Sequence, residues 1–392
     1  MQEATRNWTR RVRMTSDGSP TLEVVEWGVC YHSVHGALTE SQHVFIKNGL
    51  DRWLEHRGEA GGSSLRLLEV GVGTGLNAAL AWEWAEAHGC QILYEGIEPF
   101  PLTEVELLAW GGSAWDAGLL AKVVAINRAM RGEESLDSPS FRARFHRVKW
   151  QDAAVSEFDV CFYDAFAPEQ QPEMWSSGVF RQLLSHAAKG GLLTTYCAKG
   201  RVRRDMEREG WCVERVPGPP GKREMLVAEC VPIQRKNLRS YGLILNRQRT
   251  HILVSKERFP DGSVGCKFPG GGMKPGETAE DALIRECSEE LGTAEALEVL
   301  THAYTTDFFV RSAFRRDEQV ISIYHWMQSH DDNHAWWDER PESLAAEEAL
   351  LEMNWIALAE LNPDWMRFPI DRFVAENLSS WIQLIQSDPS AD

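Results

Sequence analysis

Residues 65–87 read "LRLLEVGVGTGLNAALAWEWAEA". An apolar run ends at Glu69 and Val70, a glycine-rich turn follows, and apolar residues then recur at helical spacing. Gly71, Gly73 and Gly75 are spaced G-x-G-x-G, which lets the backbone approach a ligand closely where a helix begins. This is not the pyrophosphate-binding G-x-G-x-x-G, because the third glycine arrives one residue early. Glu69 opens the loop with a negative charge that repels phosphate. Together these features predict a cationic cofactor without a phosphate, such as S-adenosylmethionine. Downstream, "QILYEGIEPF" (91–100) offers a second strand ending in Glu98, whose carboxylate can accept both ribose hydroxyls.

Working outward, "FHRVKWQDAA" (145–154) begins a third alternation, and "FDVCFYD" (158–164) leads through a loop and a helical pattern to Gly190, Gly191 and another strand. Strand, loop, helix, strand is the grammar of an α/β sheet, so the first half is expected to be Rossmann-like. Asp164 sits at the carboxyl end of its strand, where ligands bind in such sheets, although an Asp there serves equally well as a turn cap.

A chain of 392 residues exceeds one ordinary core. The densest Pro/Gly cluster lies at 217–221, followed by a short apolar run, a polar stretch and a new strand-like run, "YGLILN", from 241. The expected domains are therefore 1–232, closing with a hairpin near Val231, and 235–385. The formal charge is −17, divided as 25 Lys+Arg against 31 Asp+Glu over 1–232, and 16 against 27 over 233–392. That balance argues against indiscriminate nucleic-acid binding, yet the first half carries basic runs at 6–13, 142–149 and 199–208. Each run is either a solvated face or part of a polyanion-binding strip. Eight scattered cysteines without C-x-x-C pairs, no apolar signal core and no membrane-length apolar run suggest a cytoplasmic protein with reduced thiols and no membrane partner.

Three separated motifs, "DAFAPEQQPEMWSSGVFRQLL" (164–184), "GGLLTTYCAKGRVRRDMEREGW" (190–211) and "GPPGKREMLVA" (218–228), carry a resemblance, and "YHSVHGALTESQHVFIKNGL" (31–50) extends it. Residues 20–230 resemble the methyltransferase family that finishes 5-methylaminomethyl-2-thiouridine at the tRNA wobble position, in its stand-alone MnmD form and as the N-terminal half of MnmC. The resemblance implies that Glu69, Gly71, Gly73, Gly75 and Glu98 hold S-adenosylmethionine, with Asp152 near the adenine. It implies that Asp164 faces the transferred methyl, and that Lys222 and Arg223 lie near the anticodon region of tRNA. It also favours phosphate contacts by Arg201, Arg203 and Arg204, and Trp175 and Tyr31 are candidates to stack on an unpaired base. A carboxylate at Asp164 suits the chemistry, since it can orient an amine and take up its proton. The bifunctional relatives continue into a flavin-dependent oxidase, which nothing after 232 resembles.

The second half turns on "GGGMKPGETAEDALIRECSEELGT" (270–293). Thr278 followed by Asp281 predicts a capped helix start, Gly292 a helix end, and Ile284, Cys287 and Leu291 a buried face. Glu286, Glu289 and Glu290 then crowd one face, where like charges destabilise a helix unless a hard divalent cation joins them. Gly271, Glu277, Arg285, Glu286, Glu289, Glu290 and Gly292 reproduce the Nudix box, with Cys287 and Thr293 in its two apolar slots. The resemblance implies an α/β/α sandwich that hydrolyses a nucleoside diphosphate linked to another group. It implies Mg²⁺ or Mn²⁺ held by Glu286, Glu289 and Glu290, with Glu289 also a catalytic carboxylate and Arg285 orienting a glutamate. Glu318, Glu347 and Glu348 are candidates for a further carboxylate.

The fold expected is α/β, a Rossmann-like S-adenosylmethionine-dependent methyltransferase domain followed by a Nudix domain. The function expected is bifunctional: tRNA wobble-uridine methylation and diphosphate hydrolysis. The alternative is a small-molecule amine methyltransferase whose Nudix domain is a nucleotide-binding regulator.

Overall fold

The computed structural model describes residues 8–57, 64–112, 115–246, 248–259, 261–291, 297–329 and 351–387. The chain forms two compact units, residues 1–232 and 233–392.

The first unit opens with a small antiparallel sheet of β1 (Arg10–Met14), β2 (Pro20–Val24) and β3 (Val29–Cys30). A continuous helical run follows: α1 (Ala37–Ser41), a π-helical stretch (Gln42–Asp51) and α2 (Arg52–Arg57). Next come β4 (Ser64–Val70), α3 (Leu76–His88), β5 (Gln91–Ile97), α4 (Glu104–Gly111), α5 (Ala117–Met130) and β6 (Phe141–His146). The unit ends with β7 (Phe158–Tyr163), α6 (Ser177–His186), β8 (Ala187–Thr195), α7 (Gly200–Arg208), β9 (Cys212–Pro217) and β10 (Glu224–Glu229). These strands build one sheet in the order β6-β5-β4-β7-β8-β10-β9. The first five run parallel, and β10 is antiparallel to both its neighbours.

Every residue of β7 is buried, as its unbroken apolar run requires of a strand covered on both faces. Thr103 and Glu106 cap α4 reciprocally, and Asp116 accepts from Gly118 N and Leu119 N at the start of α5. The chain leaves β4 toward β5 on one side, while β7 returns on the other. β4 and β7 therefore flank the switch point, where α/β sheets bind ligands beyond their carboxyl ends.

Within the described part of the basic run, residues 8–13, Arg11 and Arg13 are exposed but Arg10 is not. The Arg10 side chain has no exposure and donates to Tyr31 Oη at 2.7 Å, Pro101 O at 3.3 Å, Glu106 Oε2 at 3.1 Å and Phe100 O. It fastens the small sheet to the loop after β5, while Arg11 and Arg13 both face Glu23 on β2. Trp175 is likewise a core residue: it is 3% exposed, and its indole N–H donates to Phe166 O at 2.7 Å. With its ring packed against Tyr163 and Phe180, it has no face for a base.

The second unit holds β11 (Arg235–Ile244), β12 (His251–Arg258), β13 (Val264–Lys267), β14 (Gly270–Gly272), α8 (Ala279–Leu291), β15 (Leu297–Thr305), β16 (Glu318–Ser329), β17 (Leu351–Ala357) and α9 (Pro369–Ser387). Two sheets form, β14-β11-β16-β15 and β13-β12-β17. Alternation along the strands sends Tyr241, Leu243, Val254 and Tyr324 into one cluster with Val374 and Leu378 of α9. Ile244, Leu253, Met327 and Trp355 join Leu283 and Cys287 of α8 in the other. The result is an α/β/α sandwich. The buried stripe of α8 is Ala282, Leu283 and Cys287 with Leu291 packed beside them; Cys287 and Leu291 stand as expected, whereas Ile284 is 37% exposed and Leu283 takes its place. Gly292, Glu347 and Glu348 lie outside the described residues.

Arg10→Met should lower the stability of the first unit by about 3 kcal/mol, because it strands a part-buried carboxylate and two carbonyls. A urea titration followed by tryptophan fluorescence measures the loss, and an unchanged midpoint would contradict the anchoring role.

Candidate active sites

In the first unit, the loop after β4 meets the loop after β7. Gly71 has φ 87°, and a Cβ there would lie 2.6 Å from the Asp164 carbonyl oxygen. Gly73 has φ 56°, and its Cβ would lie 2.9 Å from the Tyr31 ring. Both glycines are required by close approach as well as by the turn. Glu98, expected to meet ribose, is buried; one carboxylate oxygen accepts from Gly73 N and the other from Phe100 N, each at 2.9 Å. It fixes the glycine loop, and each oxygen keeps a further lone pair. Tyr31 leans on that loop, edge-on to Phe166 at 5.0 Å.

Behind the loop runs a chain of polar contacts. Asn77 Nδ2, in the first turn of α3, donates to Glu69 Oε1 and to Asp164 Oδ2, both at 3.0 Å. Tyr94 Oη donates to the other Glu69 oxygen at 2.6 Å. Glu69 has no exposure at all, so it stands behind the cradle rather than in it. Burial pushes its pKa up to about 8, against the pull of Tyr94 and Asn77. Burial likewise raises Asp164 to about 7, with Glu40 pushing the same way and Asn77 and Lys222 opposing. Asn77 Oδ1 is buried with no partner among the described residues.

Lys222, expected beside tRNA, is half-buried. Its ammonium donates to Glu40 Oε1 at 2.7 Å and sits 4.0 Å above the Tyr196 ring. Arg223 next to it is 94% exposed. On α7, Arg201 reaches Asp205 at 3.5 Å and Arg203 reaches Glu207 at 2.5 Å, while Arg204 is exposed. Asp152 lies exposed in a single turn, Trp150–Asp152, beyond β6. The sequence reading missed Asn77, Tyr94, Glu40 and Tyr196. An Asn amid "GLNAALA" was the one usable signal, since a polar side chain in an apolar helix face needs a buried partner.

In the second unit, α8 starts as expected, with Thr278 and Asp281 bonded reciprocally. The Arg285 guanidinium forks onto Glu277 at 2.6 and 3.0 Å and also donates to Gly272 O at 2.9 Å and Glu286 Oε1 at 2.7 Å. Arg285 holds the Glu277 carboxyl down at about 2, and that carboxylate also accepts Lys274 N at 2.7 Å, closing the loop before the helix. Glu289 lies 3.4 Å from Arg285 and 3.9 Å from the Lys274 ammonium. Gly271 has no room for a Cβ, which would strike the Glu286 carboxylate. Glu290 points elsewhere: it accepts Lys267 Nζ and Gly270 N, each at 3.0 Å. Glu318 accepts Asn237 Nδ2 at 3.2 Å. Among the described residues no three His, Cys, Asp or Glu side chains converge on one metal position. Glu286, beside the glycine strand, and Glu289, one turn further along α8, carry hard oxygen donors of the kind a divalent ion takes.

Residues 142–230 match a family described as S-adenosyl-L-methionine-dependent methyltransferase, and residues 236–376 match the NUDIX domain. A curated relative from Cupriavidus metallidurans, the tRNA 5-methylaminomethyl-2-thiouridine biosynthesis bifunctional protein MnmC, is 30% identical over 56% of this chain and 34% of its own length. The protein of the same name from Pseudomonas paraeruginosa is 32% identical over 54% of this chain and 33% of its own. The chain thus spans about a third of the length of these relatives. The solved structure of MNMC2 from Aquifex aeolicus aligns with TM-score 0.49 and 20% identity over 59% of this chain and 73% of that one.

The buried acids set a pH dependence. Asp164 holds its proton up to about 7 when folded but only to 3.8 when unfolded, so its contribution to stability is lost as pH rises through that window. Asp164→Asn should therefore stabilise the first unit by on the order of 1–3 kcal/mol at pH 8 and by almost nothing at pH 3, below both pKa values. Thermal unfolding at both pH values tests this, and equal effects at the two would refute the raised pKa.

Proposed function

Because the chain joins an S-adenosyl-L-methionine-dependent methyltransferase domain to a NUDIX domain, we propose a cytoplasmic bifunctional enzyme of tRNA modification. Its first unit methylates the aminomethyl nitrogen of 5-aminomethyl-2-thiouridine at the tRNA wobble position. Its second unit hydrolyses a nucleoside diphosphate-linked compound. The observation that carries the first assignment is Asp164, raised to about 7 at the end of β7 and aimed by Asn77 beside the glycine cradle.

S-adenosylmethionine, held by the Gly71–Gly75 loop with Glu98 and Asp152, supplies an electrophilic methyl group. Asp164 accepts a hydrogen bond from the substrate amine and orients its lone pair. It then takes up the proton that the nitrogen releases on becoming a secondary amine. Asn77 keeps the Asp164 carboxylate in one rotamer, and Glu69 with Tyr94 keeps Asn77 in place. Since Asp164 must be ionised to receive a proton, turnover should rise with pH through about 7.

In the second unit, Glu286 and Glu289 are the residues to hold Mg²⁺ or Mn²⁺, which supplies Lewis acidity and a more acidic water. Arg285 aims Glu286, and Glu277 aims Arg285.

One observation favours the narrower reading, a small-molecule amine as methyl acceptor. Arg201 and Arg203 are paired with acids of their own helix and Lys222 with Glu40, which leaves these cations less to offer phosphates.

The test is incubation with S-adenosylmethionine and tRNA lacking only the final methyl, followed by nucleoside mass spectrometry. One methyl gained on the wobble uridine is expected, reduced about a hundredfold or more in Asp164→Ala. A folded, cofactor-binding chain that adds no methyl would remove tRNA as substrate and leave the small-molecule reading. For the second unit, hydrolysis of a nucleoside diphosphate panel should require the divalent ion and be lost in Glu289→Gln.

A further inference from the structure

The Nudix pattern supplies three carboxylates on one helix, yet the third is already matched to a cation of the chain itself. Lys267 ends β13 and is 5% exposed. Its ammonium has three donors and meets three oxygens: Gly270 O at 2.9 Å, Glu290 Oε1 at 3.0 Å and Glu257 Oε1 at 3.2 Å. Glu257 comes from β12, Gly270 from β14 and Glu290 from α8, so three separate elements converge on this nitrogen. The second Glu290 oxygen is taken by Gly270 N at 3.0 Å. Both oxygens of Glu290 are therefore engaged by donors of the chain. Those of Glu286 and Glu289 instead face Arg285 and Lys274 near the surface.

We propose that Lys267 is a built-in cation of the hydrolase site: its ammonium fills the oxygen cage of Glu290, Glu257 and Gly270, so one divalent ion is held by Glu286 and Glu289 and not by Glu290. The inference rests on the metal-hydrolase reading of the second unit and adds to it a fixed ion count. A fixed lysine charge substitutes for part of what a second divalent ion would supply, without depending on metal supply. A buried ammonium with three oxygen partners is favourable where it stands, whereas the same cage emptied of it would bring two carboxylates together unpaired.

The experiment counts Mn²⁺ bound to the full chain, reading free Mn²⁺ by electron paramagnetic resonance during titration. The Glu286→Gln, Glu289→Gln double variant corrects for sites elsewhere. One Mn²⁺ per chain is expected, lost in that double variant. Glu290→Gln should weaken it by less than about threefold, whereas Glu286→Gln should weaken it by about a hundredfold or more. Lys267→Met should admit a second Mn²⁺ by freeing Glu290 and Glu257. A Glu290→Gln loss as large as that of Glu286→Gln would overturn the proposal even if Lys267→Met fails to fold. So would two Mn²⁺ in the unaltered chain, or one in a folded Lys267→Met. A chain that binds no Mn²⁺ at all would sink the metal-hydrolase reading, and this inference with it.

Discussion

One amide group holds two acids in the first unit: Asn77 Nδ2 is shared between Glu69 and Asp164 at 3.0 Å each. β4 and β7 are adjacent parallel strands, so the residues at their carboxyl ends are forced close together. Both acids are poorly solvated there, so leaving their oxygens without donors would be costly. The amide bridges them, and Tyr94 completes the coordination of Glu69 from β5. Much of the surrounding geometry follows from this bridge. Asn77 must enter α3 in its first turn, so the glycine loop has to turn the chain within five residues of β4, from Gly71 to Gly75. Gly71 must lack a Cβ because the backbone of Asp164 passes beside it.

The two units solve the same electrostatic problem in opposite ways. In the first, buried acids are kept near neutrality: Glu69 and Asp164 are raised to about 8 and about 7 by burial. Each can therefore change its charge near neutral pH, Asp164 at the edge of the glycine cradle and Glu69 behind it. In the second, the acids are matched by fixed cations. Arg285 serves Glu277, Glu286 and Glu289, and Lys267 serves Glu290 and Glu257. Among them, Arg285 holds the Glu277 carboxyl low, whereas burial raises Glu290 against the pull of Lys267.

What the sequence disclosed, it disclosed through local rules. The glycine spacing at 71–75, the Thr278–Asp281 cap and the strand–helix alternation each depend on a few neighbouring residues, and all have counterparts in the fold. What stayed hidden shares a cause, which is partners distant in the chain. Arg10 belongs to a basic run by composition but meets acceptors some ninety residues away, at Phe100, Pro101 and Glu106. Lys222 likewise meets Glu40, 182 residues upstream. The buried stripe of α8 shifted from Ile284 to Leu283 because a two-sheet sandwich, not helical periodicity alone, decides which side is covered. Asn77 was legible as an anomaly, but its two partners were not.

Charge pairing also bears on how the first unit would hold a polyanion. Affinity for nucleic acid comes largely from releasing counterions as Lys and Arg replace them at phosphates. A cation already paired with a carboxylate gives less, since it must leave that partner or bring the negative charge with it. Lys199 pairs with Glu169, Arg201 with Asp205, Arg203 with Glu207 and Arg142 with Asp137, so the basic runs are weaker attractors than their composition implies. If tRNA is the substrate, discrimination must then rest heavily on the modified base itself. The base would have to be read by the aromatic edge of Tyr31 and Phe166 and by Asp164 behind the glycine cradle. Single-stranded loops permit that mode, because an unstacked base can be drawn into a pocket without a strong phosphate field.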